Sequence, residues 1–251
     1  MEPARLLIVV PCYNEELRLP VAEFRSFLLG HPEVSVCFVD DASTDRTGAV
    51  LESLRDEFPG QIHLVPNPKN AGKAESVRTG VLYGYRENLA PALAYLDADL
   101  ATTLDECASL VRYLDAGKQF VFASRILRVG SVVERKFARF FIGRVIATGI
   151  SNSLRLGVYD TQCGCKVFRR DLAPVLFGEG FISRWLFDVE LISRMLVQFG
   201  PVAGVAAMEE VPVLRWVDPG DSKVRLSYFF TLWQDLWQIR RRHRSAMRRW
   251  C

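Results

Sequence analysis

Short apolar runs recur along the chain, and three of them stop abruptly at acidic or polar residues. Leu6-Leu7-Ile8-Val9-Val10 gives way to Pro11-Cys12-Tyr13-Asn14-Glu15, Val36-Cys37-Phe38-Val39 to Asp40-Asp41, and Ala94-Tyr95-Leu96 to Asp97-Ala98-Asp99. Between the runs, apolar residues return at helical spacing. The pattern predicts strands at 5–10, 34–39, 62–65, 92–96 and 120–123. Helices are predicted over 17–29, from the Ser43-Thr44-Asp45 caps to Phe58, over 73–87 and over 103–114. Strands that are apolar throughout belong to a parallel sheet covered on both faces. In such sheets ligands bind beyond the carboxyl ends of the strands, where these acidic residues fall.

The second half is less regular. Residues 133–156 mix basic and apolar side chains at helical spacing, followed by a short strand at Lys166-Val167-Phe168, a helix over 188–199 and a last strand over 211–216. From Leu226 to Ile239 a helical stripe carries Leu226, Phe229, Phe230, Trp233, Leu236 and Trp237. Arginines 240, 241, 242, 244, 248 and 249 follow with no acid among them.

Composition narrows the classes. The 251 residues, 49% hydrophobic and 24% charged, suit one folded α/β domain rather than a disordered chain. The net charge of +3 hides an asymmetry: without the six terminal arginines, 26 basic residues face 29 acidic ones. An acidic body without a binding motif argues against nucleic acid. The aromatic stripe and its arginines describe an interfacial helix on an anionic membrane, with core packing as the alternative. No run approaches the ~20 apolar residues of a membrane span, and the first run is too short for a signal peptide. The six cysteines are scattered, and Cys163-Gly164-Cys165 is too closely spaced for a zinc knuckle, so reduced, buried thiols in the cytoplasm are expected.

The chemistry centres on Asp97 and Asp99. Two apart at a strand end, both carboxylates point to one side, and such a pair with diphosphate oxygens holds Mg²⁺ or Mn²⁺. Asn70-Ala71-Gly72-Lys73 lacks the remaining residues of a phosphate loop, and Lys73 at a helix start suits either a diphosphate or solvent. The three histidines, 31, 63 and 243, have no Ser or Cys in a triad motif beside them. Arg125, with Arg135, Lys136 and Arg139 soon after, suits either an anionic acceptor or a solvated basic helix face.

These motifs resemble those of the family 2 glycosyltransferases, and most closely the dolichyl- or polyprenyl-phosphate glycosyltransferases, over about residues 5–235. Val10 to Glu15 is similar to the opening loop that grips the nucleotide base, which assigns Pro11, Tyr13, Asn14 and Glu15 to the nucleotide. Asp40 to Asp45 is similar to the second acidic loop, which assigns it Asp40 and Asp41. Asp97 and Asp99 match the metal pair. Ala123-Ser124-Arg125 and Arg135 fall where family members bind the lipid phosphate. Asp160-Thr-Gln-Cys-Gly-Cys-Lys166 resembles the signature of the glucosyl branch, and Trp185-Leu-Phe-Asp188 the motif with the catalytic aspartate. Ser222 and Lys223 resemble the loop that closes over the diphosphate, within an unusual Asp-Pro-Gly-Asp setting. Ala101 stands where mannosyl members often carry Gln, and the Gln that precedes Arg184-Trp185 in processive synthases is missing.

The resemblance implies a GT-A fold, a Rossmann-like α/β domain over 1–225 with a mostly parallel sheet flanked by helices. The aromatic stripe and its arginines add an amphipathic, Arg-rich membrane-interface tail over 226–251. The resemblance further implies inverting transfer of one sugar, glucose from UDP-glucose, to a polyprenyl or dolichyl phosphate with Mg²⁺ or Mn²⁺. The catalytic group would be Asp188 with Arg125 and Arg135, and the nucleotide group would include Lys73, Asp97, Ser222 and Lys223. The enzyme would sit on the cytoplasmic face of a membrane, with room for a membrane-protein partner. A GDP-mannose donor, a soluble or protein acceptor, and a non-catalytic nucleotide-sugar-binding scaffold stay open.

Overall fold

The structure, a computed structural model, describes residues 4–134, 137–217 and 228–247, with backbone alone at 134, 137–142, 228–230 and 244–247. Seven strands form the main sheet: β1 (Leu6–Cys12), β2 (Val34–Asp40), β3 (Ile62–Pro66), β4 (Ala92–Leu96), β5 (Phe120–Ser124), β7 (Cys165–Arg169) and β8 (Met208–Pro212). Their spatial order is β3-β2-β1-β4-β7-β5-β8. A separate two-stranded piece pairs β6 (Val132–Glu134) with β9 (Arg215–Val217).

Alternation of side chains across each strand explains why the runs are apolar throughout. Leu6, Ile8 and Val10 point into one core, packed with Phe24, Phe38 and Leu104 from that face. Leu7 and Val9 point into the other, with Val77, Val81, Leu191 and Leu232. The first core is covered by α1 (Val21–Gly30), α2 (Thr47–Glu57) and α4 (Leu104–Ser109), which α5 (Val111–Asp115) follows. The second lies under α3 (Lys73–Arg86), α7 (Ala173–Phe177), α8 (Phe187–Phe199) and α10 (Tyr228–Met247). The short α9 (Pro201–Ala207) leads into β8. The close seating of α3 depends on glycine: a Cβ on Gly80 would stand 2.4 Å from Val9 Cγ1, and one on Gly84 2.3 Å from Leu7 Cδ2. That approach aims Lys73 at the carboxyl edge of β1 and β4.

Four elements differ from the sequence expectation. The first helix starts at Val21, not at 17, because Pro20 cannot continue a helix begun upstream; Leu17 is left exposed. Helix α2 starts only at Thr47, whose N–H donates to Asp45 Oδ1 at 3.0 Å, while Asp45 Oδ2 and Ser43 Oγ accept from the loop after β1. The last strand is two strands. Beyond Pro212 the chain turns, with Leu214 N–H donating to Glu106 Oε1 at 2.7 Å, and it resumes as β9 against β6. Finally, β7 runs antiparallel to both β4 and β5. The chain between β5 and β7, including α6 (Phe137–Leu154), begins at the carboxyl edge and returns to it, so β7 enters the sheet from that side.

The C-terminal helix divides its apolar residues between two faces. Leu232, Leu236 and Ile239 are buried against α8 and α6, while Trp233 and Trp237 remain 49% and 58% exposed. The Trp233 ring lies over Gly149 of α6, within 2.6 Å of where a Cβ would be. Ser183 Oγ donates to Asp235 Oδ2 at 2.6 Å, and Arg242 pairs with Glu179 at 2.6 Å. Among the described residues no helix is long and apolar enough to cross a membrane.

Candidate active site

Three loops leave the carboxyl edge side by side, after β1, β2 and β4. In each, a residue other than glycine takes a left-handed backbone: Asn14 (φ 52°), Ala42 (φ 58°) and Leu100 (φ 51°). Asn tolerates this conformation, whereas Ala and Leu hold it at roughly 1–3 kcal/mol each, which the surroundings must enforce. The first two loops enforce one another. Asn14 N–H donates to Ser43 Oγ (3.0 Å), Thr44 N–H to Asn14 Oδ1 (2.9 Å) and Glu15 N–H to Thr47 Oγ1 (2.8 Å). Ser43 N–H donates to Asp40 Oδ1 at 3.0 Å. Pro11 and Asp40 stay partly exposed on this wall, Tyr13 stands at its rim with 38% exposure, and Glu15 is buried beneath it.

Asp41 does different work from Asp40. It is buried, and its Oδ1 accepts from Asn67 Nδ2 (2.8 Å) and Ala71 N–H (2.9 Å), while Oδ2 accepts from Gly72 N–H (2.8 Å). The carboxylate thus binds the 67–72 loop through both oxygens and sets its shape. That loop delivers Lys73 to the site at the first turn of α3.

Lys73 reaches Asp97: its Nζ is 2.5 Å from Oδ1, with the two side chains 29% and 35% exposed. Burial opposes the charge on Lys73, but Asp97, and then Asp188 and Asp99, outweigh it and raise its pKa. Asp99 accepts from Ala101 N–H at 3.1 Å. Its pKa is raised, first by burial and then by the negative charge of Asp97. Two neighbouring carboxylates, both partly exposed and beside the Lys73 ammonium, suit a divalent cation. No cluster of three or more His, Cys, Asp or Glu lies among the described residues, so such an ion would take its other ligands from substrate or water.

The signature at 160–166 builds the opposite wall. Asp97 N–H donates to Gly164 O at 3.1 Å, and its carboxylate lies so near Gly164 that a Cβ there would be 2.0 Å from Oδ2. Only glycine at 164 lets the Asp97 side chain pass. Asp160 receives Arg125 at both oxygens, from Nε at 2.6 Å and Nη2 at 2.8 Å, and from the Arg125 N–H at 3.0 Å. Burial alone raises the Asp160 pKa, yet the charge and hydrogen bonds of Arg125 hold it well below the usual carboxylate range. Arg125 also stacks over Trp216 of β9, 5.3 Å from the ring centre. From β8, Glu210 accepts from Ser124 Oγ (2.7 Å), Tyr159 N–H (2.9 Å) and Asp160 N–H (2.7 Å), tying this loop to the end of β5.

Asp188, in the first turn of α8, is buried. Its Oδ1 accepts from both Lys166 Nζ and the Tyr95 hydroxyl. Arg184 crosses the start of α3, its Cδ 3.5 Å from where a Cβ on Gly72 would stand. Arg135, Ser222 and Lys223, assigned above to acceptor and diphosphate, lie outside the described residues.

A family profile described as Glycosyl transferase family 2 matches residues 7–177, more than half of the chain. The chain belongs to glycosyl transferase family 2. Among the curated relatives of this glycosyltransferase, a dolichyl-phosphate beta-glucosyltransferase of Trichomonas vaginalis is 33% identical over 247 residues, covering 92% of this chain and 69% of the relative. The human dolichyl-phosphate beta-glucosyltransferase is 30% identical, covering 92% and 78%. A polyprenol monophosphomannose synthase of Mycolicibacterium smegmatis is 29% identical, covering 76% and 72%. Among solved structures, mannosyl-3-phosphoglycerate synthase of Rubrobacter xylanophilus matches with a TM-score of 0.69 at 17% identity, covering 98% and 76%. Glucosyl-3-phosphoglycerate synthase of Mycobacterium tuberculosis, in complex with Mn²⁺, UDP-glucose and phosphoglyceric acid, matches at 0.67 and 16% identity, covering 94% and 80%. These structures confirm the GT-A fold, with its mostly parallel sheet flanked by helices.

Within this glycosyltransferase the sequence reading located the acidic strand ends but gave no role to Tyr95, Lys166, Arg184 or Glu210. One signal was available for Lys166: it interrupts the apolar stretch of Cys165, Val167 and Phe168.

Proposed function

We propose that this enzyme transfers one glucose from UDP-glucose, with inversion, to a polyprenyl or dolichyl phosphate at the cytoplasmic face of a membrane. The observation that carries the reading is the convergence of Asp97, Asp99 and Lys73 at one strand end. It occurs in a chain whose relatives at 33% and 30% identity are named dolichyl-phosphate beta-glucosyltransferases.

The site divides by charge. Tyr13, Asn14 and Asp40 border the side for the base and ribose. Lys73, at the positive end of α3, faces the diphosphate. Asp97 and Asp99 would hold Mg²⁺ or Mn²⁺, which supplies charge neutralisation to the departing nucleotide diphosphate. Arg125 presents its guanidinium beside the acceptor side, and Asp188 aligns the acceptor or takes its residual proton. A phosphate acceptor is already an anion at neutral pH, so orientation rather than deprotonation is the main demand. Ser222, Lys223 and Arg135 belong to the same proposal.

The acceptor's isoprenoid tail stays in the bilayer, so the enzyme must meet it there. Exposed Trp233 and Trp237 alternate on α10 with buried residues and lead directly into exposed Arg240 and Arg241. Leu127, Val129, Val132 and Leu214 are exposed near the end of β5 and the β6–β9 piece. Apolar side chains beside arginines favour an anionic lipid surface.

The test incubates the purified chain with a short polyprenyl phosphate, Mg²⁺ or Mn²⁺, and either UDP-glucose or GDP-mannose. A glucosyl lipid from UDP-glucose is the expected product. A mannosyl lipid would shift the donor to the alternative that the mannose-synthase relative favours, and no glycolipid from any donor would overturn the reading.

A further inference from the structure

We propose that Lys166 is a positioning residue for the transfer, its buried ammonium fixing the Asp188 carboxylate and the 160–165 loop in one arrangement. The assignment deepens the functional reading above and rests on it.

Lys166 is completely buried at the start of β7. Lysine is almost never buried unless its charge and donors are matched. Here they are matched one for one: Nζ donates to Thr161 O at 2.9 Å, to Cys163 O and to Asp188 Oδ1. An ammonium has three donors and no acceptor, so the three bonds exhaust it. Its neighbours Cys165, Val167 and Phe168 are buried and apolar, so packing in the strand does not itself call for a charge at this position. Replacing a buried ion pair with well-packed apolar residues is often neutral or stabilising. Stability alone therefore does not explain a lysine at this position.

Its three acceptors explain it better. Thr161 and Cys163 lie between Asp160, which receives Arg125, and Gly164, which seats Asp97. The third acceptor is Asp188, where the Tyr95 hydroxyl reaches the same oxygen. Tyr95 is two residues before Asp97 on β4 and is itself fully buried. One ammonium and one hydroxyl thus join the strand of the metal pair, the signature loop and the helix of Asp188. With Oδ1 held by two donors, Oδ2 is the oxygen left for an entering acceptor. Lys73 is the other cation close enough to act on Asp188 electrostatically. Misplacement by about 1 Å costs on the order of 100-fold in rate, so loosening this junction would act on turnover.

The test compares wild type, Lys166→Met, Asp188→Asn and the double variant in the UDP-glucose assay, with UDP-glucose affinity measured separately by calorimetry. Lys166→Met is expected to lower kcat by on the order of 100-fold while donor Kd stays within about threefold. In the Asp188→Asn background the same substitution is expected to change kcat at least about tenfold less than it does in wild type, because most of its effect passes through Asp188 and only the remainder through the 160–165 loop. Wild-type kcat in Lys166→Met, or full multiplication of the two losses in the double variant, overturns the assignment. If Lys166→Met gives no cooperative melt, Tyr95→Phe and Tyr95→Phe/Asp188→Asn run the same cycle with the ring retained in the core. There a kcat loss of about tenfold that vanishes in the double variant supports the junction, and its absence overturns it. An active wild type with unaffected variants refutes only this assignment, whereas an inactive wild type refutes the functional reading and this assignment with it.

Discussion

Lys73 Nζ lies 2.5 Å from Asp97 Oδ1, so a lysine from the first turn of α3 neutralises an aspartate assigned to a metal ion. The two are brought together by unrelated parts of the chain: Asp41 shapes the loop before Lys73, and Gly164 makes room for Asp97. The contact has a consequence for binding order. A divalent ion held by Asp97 would have to displace the lysine, which would be easiest with a diphosphate present to offer Lys73 another anion. Lys73→Met is therefore expected to bind Mn²⁺ more tightly than wild type without nucleotide, but UDP-glucose about tenfold or more weakly, the loss of one charge-assisted contact. Paramagnetic resonance of free Mn²⁺ measures the first and calorimetry the second.

Gly164→Ala places a Cβ where Asp97 Oδ2 now stands. Asp97 must move, because the Gly164 backbone is fixed by pairing beside β4. Transfer is expected to fall on the order of 100-fold, with thermal stability reduced by about 1–3 kcal/mol. A folded variant with full activity would show that Asp97 does not need this position.

The Arg125–Asp160 pair sets an acid limit on stability. Because the folded-state pKa of Asp160 is depressed, its contribution is present above the ordinary carboxylate range and is lost as pH falls below it. Asp160→Asn is expected to lower the melting temperature at neutral pH and to flatten its decline on acidification. Melting curves at a series of pH values check both, and parallel curves for variant and wild type would contradict the prediction.

On α10, Trp233 and Trp237 are exposed while Leu232, Leu236 and Ile239 are buried. Trp237→Ser should leave the fold intact and weaken flotation with anionic liposomes, by about tenfold for one interfacial aromatic. Leu236→Ser should instead destabilise the protein by about 2–5 kcal/mol. Equal flotation of Trp237→Ser and wild type would remove this face from the membrane account.

The sequence made some of this legible and concealed the rest for physical reasons. Strands β1, β2 and β4 were readable because both faces of the sheet are covered, which turns each into an unbroken apolar run ending at the site. The direction of β7 was not, since a buried strand looks the same whichever way it runs. The α10 stripe was readable as amphipathic but not divisible: Leu232 and Leu236 turn inward, while Trp233, one residue on, stays at the surface beside Gly149. Asp97 and Asp99 announced themselves by local spacing. The partners of Asp188 did not, because Lys166 is 22 residues away and Tyr95 is 93 away. Asp41 looked equivalent to Asp40 in sequence, and only the fold shows both its oxygens bound to the 67–72 loop.

The most direct measurement follows radiolabelled glucose from UDP-glucose into a short polyprenyl phosphate, using wild type and Asp99→Ala, each with Mg²⁺ and with EDTA. Wild type with Mg²⁺ should form glucosyl lipid, and the other three conditions should lose it by on the order of 100-fold or more. Near-full transfer by Asp99→Ala in EDTA would contradict the account at its centre.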